Sequence, residues 1–190
     1  MLSKKYDLKI RESSKLLDCT KLRDLQGFGC KILCASRHEN SALDGLATYV
    51  PLDEIYRQCD LISFHLALTD DTRHMINRES IAKMKDGVVL VNCARGGLMD
   101  MQALIEGIES EKIGALGLDT VENEEGIIHR DRRDDIFKDR ELAYLRQFKN
   151  VVWTQHMAFY TDAAVGDMVA CGVEGILAMQ ARKPYRTQLC

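Results

Sequence analysis

The stretch VVLVNCARGGLMD, residues 88–100, is an apolar, β-branched run that ends in an arginine followed by two glycines. Its first residues predict a strand that is buried on both faces, as in a parallel sheet. Arg95 follows this strand closely, and a guanidinium is always charged. We therefore expect the end of this strand to open into a polar crevice rather than into the core, with Gly96 and Gly97 keeping the turn around Arg95 open.

The sequence on either side alternates short apolar runs with helical patterns and contains only two prolines. This alternation of strand and helix patterns predicts β-α-β units. Strands are predicted at 31–36, 60–66, 87–92, 113–119 and 150–155, and 6–12 is predicted as a weak edge strand. Helices are predicted at 52–59, at 77–84 with Asn77 as N-cap, and after the N-cap Asp100 with Met101, Leu104, Ile105 and Ile108 on one face.

Three further segments complete the predicted layout. Residues 13–25 can form a helix capped by Ser13 or Ser14, and the charged stretch 129–140 is predicted to be a solvated loop. A last helix is predicted from Thr161, and its apolar stripe should pack on the sheet. That stripe consists of Val165, Met168, Val169, Val173, Ile176 and Leu177.

Apolar strands joined by helices predict an α/β fold with a doubly wound parallel sheet. In such sheets, ligands bind beyond the carboxyl ends of the strands. Several polar or ionisable residues follow the predicted strands and are expected to point toward one crevice: Ser36, Arg37, His65, Arg95, Asp119, Glu124 and His156.

Composition excludes several classes of function. The net charge is −3, and no basic run is interleaved with aromatic residues, so nucleic acid is not an expected partner. No apolar stretch approaches the roughly 20 residues that span a bilayer, and residues 1–10 are too polar for a signal peptide, which predicts a cytoplasmic protein without membrane contact. Seven cysteines form neither a C-x-x-C pair nor a zinc spacing, so we expect reduced thiols and no metal site.

An arginine, a glutamate and a histidine at three strand ends form a set suited to carbonyl chemistry on an anionic substrate. The fork of Arg95 can bind a carboxylate through two hydrogen bonds. A histidine such as His156 can exchange a proton near neutral pH, and a carboxylate such as Glu124 can support its protonated form. Each residue also has a structural explanation: a hydrogen-bonding histidine, a solvated glutamate, or an arginine paired with a nearby carboxylate. Together they suit reduction of a 2-oxo acid.

At these residues the chain resembles the D-isomer-specific 2-hydroxyacid dehydrogenase family, and within it the D-lactate dehydrogenase branch. The resemblance covers roughly residues 25–180 with the family's own spacing between motifs. It rests on LQGFGCKIL, on YVPLDEIYRQCDLISFHLALTDDTRHMINRESIAKMKDGVVLVNCARGGLMD, on ALIEGIESEKIGALGLDTVENEEGI and on NVVWTQHMAFYT. It implies a Rossmann-type NAD(P)-binding domain that is incomplete at its N-terminus and lacks most of the substrate lobe.

The resemblance also implies a role for each matching residue. Arg95 would bind the carboxylate and carbonyl of the substrate, and His156 would protonate the carbonyl oxygen as hydride arrives. Glu124 would support the protonated form of His156. Phe159 and Tyr160 would form part of the substrate pocket wall. The positions that would line the nicotinamide cofactor are Leu66, Ala67, Thr72, Cys93, Ala94 and Asp119.

Two departures from the family pattern affect the cofactor and the histidine. Many NAD-preferring members carry an aspartate that binds the ribose 2′-hydroxyl where this chain has Ser36, followed by Arg37. The cofactor is therefore NAD or NADP, with NADPH favoured unless Arg37 simply points into solvent. Two family prolines are replaced by Ala67 and Gln155. A proline has a fixed φ, so its loss directly before His156 is expected to leave the orientation of that histidine less well defined.

The largest departure is at the front, where about 25 residues precede the match. The three glycines of the family's phosphate-binding turn correspond to Ser13, Lys15 and Asp18, whose side chains hinder a close approach of phosphate. Strong dinucleotide binding is not expected from this segment. The predicted layout is an atypical segment at 1–24, the NAD(P)-binding domain at 25–160 and a C-terminal helix and tail at 161–190.

Three hypotheses stay open. The first is an active D-2-hydroxyacid dehydrogenase acting on a small 2-oxo acid such as pyruvate, for which a homodimer is possible. The second is a catalytically impaired or inactive truncated remnant, which the front segment favours. The third is a non-enzymatic binding module of the same fold.

Overall fold

The computed structural model describes residues 8–12, 25–37, 39–128 and 138–184. The chain divides into two compact units, Met1–Gln155 and His156–Cys190. The predicted helix at 13–25 falls almost wholly outside the described residues, as do Ser13, Lys15 and Asp18.

The described part of the first unit contains one parallel sheet of seven strands in the order β3-β2-β1-β4-β5-β6-β7. The strands are β1 (Leu8–Glu12), β2 (Leu33–Ala35), β3 (Thr48–Tyr49), β4 (Leu61–His65), β5 (Val88–Asn92), β6 (Ile113–Leu118) and β7 (Val151–Trp153). The chain order reverses between β1 and β4, so the predicted doubly wound, Rossmann-type sheet is confirmed.

Strand β1 occupies the middle of this sheet, so the prediction of an edge strand at 6–12 is wrong. Ile10 lies opposite Cys34 of β2 on one side and Ser63 of β4 on the other. The place of a strand in a sheet depends on which distant strands pair with it, and the local sequence does not show this. Strand β3 was not predicted, and with two residues it is too short to produce a periodic pattern.

Four α-helices of the first unit lie wholly within the described residues, and side chains cap three of them. They are α1 (Leu52–Gln58), α2 (Arg78–Ala82), α3 (Met101–Glu109) and α4 (Arg140–Leu145). Asn77 accepts hydrogen bonds from two backbone N–H groups of α2, and Asp100 accepts one from Ala103, which confirms both predicted caps. Asp139 caps α4, which was not predicted, and residues 129–137 of the predicted loop lie outside the described residues.

The core lies between the sheet and the helices. On α3, Leu104, Ile105 and Ile108 are buried as predicted, whereas Met101 is half-buried. Strand β5 buries Val88, Leu90 and Asn92 and leaves the alternate residues half-buried, so the predicted burial on both faces holds fully for one face only. The five cysteines in the described residues form no disulfide with one another.

The second unit contains α5 (Asp162–Gln180), which begins next to Thr161 as predicted. Thr161 caps it by accepting a hydrogen bond from the Ala164 N–H. No residue of this helix is buried, and Val169 and Ile176 are 62% and 60% exposed. Because this helix belongs to the second unit, the packing of its apolar stripe on the sheet stays a prediction. A helical pattern identifies an apolar face but carries no information about what covers it. No helix in the described part of the chain is both long and apolar enough to cross a bilayer.

The cap of α3 provides a test of this architecture, because α3 follows directly on the loop that carries Arg95. We expect Asp100→Ala to lower the free energy of unfolding by about 1 kcal/mol, since the Ala103 N–H loses its acceptor. Asp71→Ala, at an exposed loop position, serves as control and should change it by less than about 0.5 kcal/mol. Urea denaturation of both variants measures the difference, and equal stability would contradict the assigned cap.

Candidate active site

The loops that follow β4, β5 and β6 lie at one edge of the sheet, because parallel strands all end on the same side. His65 is the last residue of β4, Arg95 follows β5, and Asp119 follows β6 directly. Ser36 and Arg37 follow β2 at the same edge. The structure therefore places these predicted residues of the first unit along a single edge.

The Arg95 loop is fixed by a buried side chain that sequence reasoning overlooked. Asn92, at the end of β5, is fully buried. Its Nδ2 donates to the Arg95 carbonyl over 2.9 Å, and its Oδ1 accepts from the Ala94 N–H over 3.0 Å. A polar residue that ends an apolar strand is the signal that could have revealed this role, since a buried amide requires hydrogen-bond partners.

The guanidinium of Arg95 is exposed, and its Nη1 donates a hydrogen bond to the carbonyl of Ala94 over 2.7 Å. Within residues 8–12, 25–37, 39–128 and 138–184, no carboxylate lies within ion-pair distance of it. The structural alternative of an arginine paired with a nearby carboxylate therefore finds no support there. A guanidinium in this setting can bind an external carboxylate.

The two glycines after Arg95 allow neighbouring loops to pack closely, so the expectation that they hold the turn open is wrong. A Cβ on Gly96 would lie 1.9 Å from the carbonyl carbon of Val121, and one on Gly97 would lie 2.9 Å from the side chain of Leu68. The loops after β5 and β6 thus meet backbone to backbone. Only glycine permits this approach.

The loop after β6 carries two predicted carboxylates in different settings. Asp119 is buried and accepts a hydrogen bond from Thr154 Oγ1 over 2.5 Å, while its own N–H donates to the Asn92 carbonyl. Glu124 is half-buried and accepts from the Val121 N–H over 3.1 Å, which ties the side chain to its own turn.

A third carboxylate in this loop, Glu122, was not singled out from the sequence. It accepts from Arg73 Nη1 and from His74 Nε2, each over 2.8 Å, and so bridges to the loop after β4. Three glutamates crowd the stretch ENEEG, and no local pattern distinguishes the one that pairs across loops. Only the fold brings Arg73 and His74 to it.

The residues expected to line a cofactor surround the ends of β2, β4, β5 and β6. Leu66 is buried, Ala94 is half-buried and Cys93 is exposed. Thr72 Oγ1 donates to the Ala67 carbonyl over 2.8 Å and so shapes the loop after β4.

The described residues fit a dinucleotide in two places. After β2, Ser36 offers a hydroxyl, and the exposed guanidinium of Arg37 has no ion-pair partner in the described ranges. After β6, the buried Asp119 carboxylate can accept a hydrogen bond from an amide. The chemistry of these side chains therefore suits the two ends of such a cofactor.

The second unit begins with His156, which has a left-handed backbone with φ of +53°. Its imidazole packs edge to face against Phe159, with ring centroids 6.3 Å apart, and Phe159 packs in the same way against Tyr160. Phe159 and Tyr160 are 40% and 67% exposed. The predicted acid and the predicted pocket-wall residues thus form one aromatic cluster.

A cavity of about 720 Å³ lies elsewhere, lined by α2, α3 and the residues just before β5 and β6. Four of its five ionisable groups form two pairs, whereas Glu111 has no ion pair among the described residues. The Arg78 guanidinium lowers the pKa of Glu106 to about 2 through a hydrogen bond, and that contact raises the pKa of Arg78. Asp86 pairs with Lys112. Because most of its charges are already compensated, this cavity is a weaker candidate than the strand ends. The described residues contain no cluster that could hold a metal ion.

The contact at Gly96 yields a mutational prediction. We expect Gly96→Ala to lower the free energy of unfolding by at least about 2 kcal/mol, because the new Cβ would overlap the backbone of Val121. Gly126→Ala is the matched control, since a Cβ there meets nothing within 4 Å. Thermal and urea unfolding compare the two variants, and a Gly96→Ala protein as stable as the control would refute the close approach of the loops.

Comparison with known proteins identifies the family. Residues 20–158 match the model of the D-isomer specific 2-hydroxyacid dehydrogenase, NAD binding domain. An aromatic 2-oxoacid reductase of Clostridium sporogenes is 48% identical over 149 residues, which are 78% of this chain and 45% of the relative. The chain thus spans about half the length of the curated relatives that it matches.

Solved structures agree with the sequence match. A D-lactate dehydrogenase of Treponema pallidum superposes with a TM-score of 0.88 at 31% identity, over 96% of this chain and 56% of that one. The pyruvate reductase of Chlamydomonas reinhardtii also gives 0.88, at 33% identity over the same shares. Since the family model covers well over half of the sequence, the chain belongs to the D-isomer specific 2-hydroxyacid dehydrogenase family and carries its NAD-binding domain.

Proposed function

We propose that this chain is the dinucleotide-binding part of a D-2-hydroxyacid dehydrogenase, which transfers hydride reversibly between NAD(P)H and a small 2-oxo acid such as pyruvate. The observation that carries the proposal is the setting of Arg95. Its guanidinium is exposed at the carboxyl edge, its loop is held by buried Asn92, and no carboxylate of the described residues neutralises it. An exposed guanidinium that no side chain of the described residues neutralises can bind a substrate carboxylate through two hydrogen bonds.

The chemistry of the reaction assigns one task to each residue. When bound, the nicotinamide supplies a hydride to the carbonyl carbon of the substrate. Arg95 binds the substrate carboxylate through two parallel hydrogen bonds and thereby orients the adjacent carbonyl. His156 donates a proton to the carbonyl oxygen, so the product is a neutral hydroxyl group, and Glu124 supports the protonated histidine. Phe159 and Tyr160 offer apolar surface for the substrate side chain.

The cofactor end of the site rests on the residues after β2. Ser36 and Arg37 favour NADPH over NADH, because a hydroxyl and a guanidinium accept a 2′-phosphate that a carboxylate would repel. Asp119 would hold the carboxamide, while Leu66, Ala67, Thr72, Cys93 and Ala94 would line the nicotinamide half. The similar proteins are an aromatic 2-oxoacid reductase, a D-lactate dehydrogenase and a pyruvate reductase. Their activities support a 2-oxo acid as the substrate.

A specific observation favours a second candidate, a domain of the same fold with impaired catalysis. Ser13, Lys15 and Asp18 replace the glycines of the phosphate-binding turn, and Asp18 adds a charge that repels phosphate. The two candidates predict different affinities for a dinucleotide.

Binding and turnover distinguish them. We expect the purified chain to bind NADPH more tightly than NADH and to reduce pyruvate or an aromatic 2-oxo acid. Arg37→Ala should weaken binding of NADPH but not of NADH, whereas Lys31→Ala, at an exposed position before β2, should alter neither. Isothermal titration measures the affinities. Absence of saturable binding up to millimolar nucleotide would reject the dehydrogenase and favour the impaired domain, and tighter binding of NADH would reject the preference for NADPH.

The assigned roles are tested by substitution in the active chain. Arg95→Lys should raise the KM for the 2-oxo acid by about tenfold to a hundredfold, because an ammonium cannot reproduce two charged hydrogen bonds. Arg140→Lys, at the exposed start of α4, is the control. His156→Gln should abolish turnover while His129→Gln retains it. Steady-state kinetics provide the readout, and a KM unchanged by Arg95→Lys would contradict the clamp.

A further inference from the structure

We propose that Glu122 is a positioning residue, whose carboxylate locks the turn after β6 to the loop after β4 and thereby holds Arg95 in place. The inference rests on the proposed function of Arg95 as the substrate clamp. It assigns no contact between Glu122 and substrate, and it concerns only residues of the first unit.

Both oxygens of the Glu122 carboxylate are engaged. Arg73 Nη1 donates to Oε1 over 2.8 Å, and His74 Nε2 donates to Oε2 over 2.8 Å, since a carboxylate can only accept. The Glu122 side chain is 25% exposed, less than either partner. Two charge-assisted contacts from adjacent residues fix the orientation of the carboxylate as well as its position.

The loop that supplies these two partners is itself bound to the Arg95 loop. The His74 N–H donates to the Gly97 carbonyl over 2.9 Å, and the Ile76 N–H donates to the Leu98 carbonyl over 3.0 Å. The space that a Cβ of Gly97 would occupy is filled by Leu68, with Arg73 Nη1 at 3.3 Å from it. Glu122 therefore connects its turn to a segment that already contacts the residues next to Arg95.

The same turn touches the Arg95 loop directly. Its backbone at Val121 and Glu122 fills the space beside Gly96, so a shift of this turn changes the packing one peptide away from Arg95. The Val121 N–H also holds Glu124 through its Oε2. Two residues with proposed roles, Arg95 and Glu124, thus depend on the turn that Glu122 anchors.

An exposed ion pair usually contributes little to stability, but two features set this cluster apart. Glu122 is mostly buried and has two partners rather than one. His74 has a left-handed backbone with φ of +47°, a conformation that costs free energy in a residue other than glycine and persists where surrounding contacts impose it. The cluster therefore fits a role in holding loop geometry.

The test compares Glu122→Gln with Glu125→Gln in the full chain. Glu125 lies in the same short turn, is exposed and has no ion pair among the described residues, so it is a matched control. In Glu122→Gln the amide cannot accept from both Arg73 and His74 as the carboxylate does, and we expect the KM for the 2-oxo acid to rise about tenfold, with a smaller change in kcat. The Kd for the nucleotide should stay within twofold.

A double variant tests whether the partners act together. If Arg73 acts through Glu122, Arg73→Gln combined with Glu122→Gln should raise the KM no further than Glu122→Gln alone, and Glu122→Asp should recover part of the loss. Additive effects of the two substitutions, or a KM in Glu122→Gln equal to that of Glu125→Gln, would overturn the inference for an active chain.

Amide hydrogen exchange separates this inference from the proposed function. We expect the amides of residues 94–98 and 120–124 to exchange at least about fivefold faster in Glu122→Gln than in Glu125→Gln, because the loops lose their shared anchor. If the unmodified chain reduces no 2-oxo acid, the proposed function fails, and exchange alone then decides whether Glu122 positions the Arg95 loop. Equal exchange in the two variants would show that it does not.

Discussion

The parallel pairing of β1 between β2 and β4 is the constraint on which the rest of the structure depends. Because β1 bonds to both β2 and β4, the order in which the strands follow one another reverses there. All pairings are parallel, so the strands end on one edge. The loops after β2, β4, β5 and β6 then share that edge, where an open α/β sheet binds its ligands. The polar residues of these loops come together for this reason, although they are far apart in the sequence.

Close contact between loops turns this edge into a defined site. Gly96 lets the Arg95 loop lie against the turn after β6, and buried Asn92 holds the backbone on either side of the exposed guanidinium. Hydrogen bonds between the loops also hold them together, above all those that Glu122 accepts from Arg73 and His74. The groups expected to bind a substrate can thus stay exposed while the backbone beneath them is firmly held.

Much of the fold could be read from local patterns. The sequence predicts Asn77 and Asp100 as helix caps because an N-cap depends on residues only two or three positions away. The central place of β1 was predicted wrongly, since it depends on partner strands that are distant in sequence. Asn92 and Glu122 were missed because their importance lies in the contacts that they make.

The sequence by itself determined the family, the α/β class and the residue types available for chemistry, because motif spacing and apolar periodicity are local properties of the chain. It also pointed to Arg95 as the charged residue that stands out beyond a buried strand. Only the tertiary structure decided that Glu122 pairs across loops while Glu124 folds back on Val121, and that Gly96 serves close packing rather than openness. These outcomes depend on which backbone segments meet in space, and no local pattern encodes that.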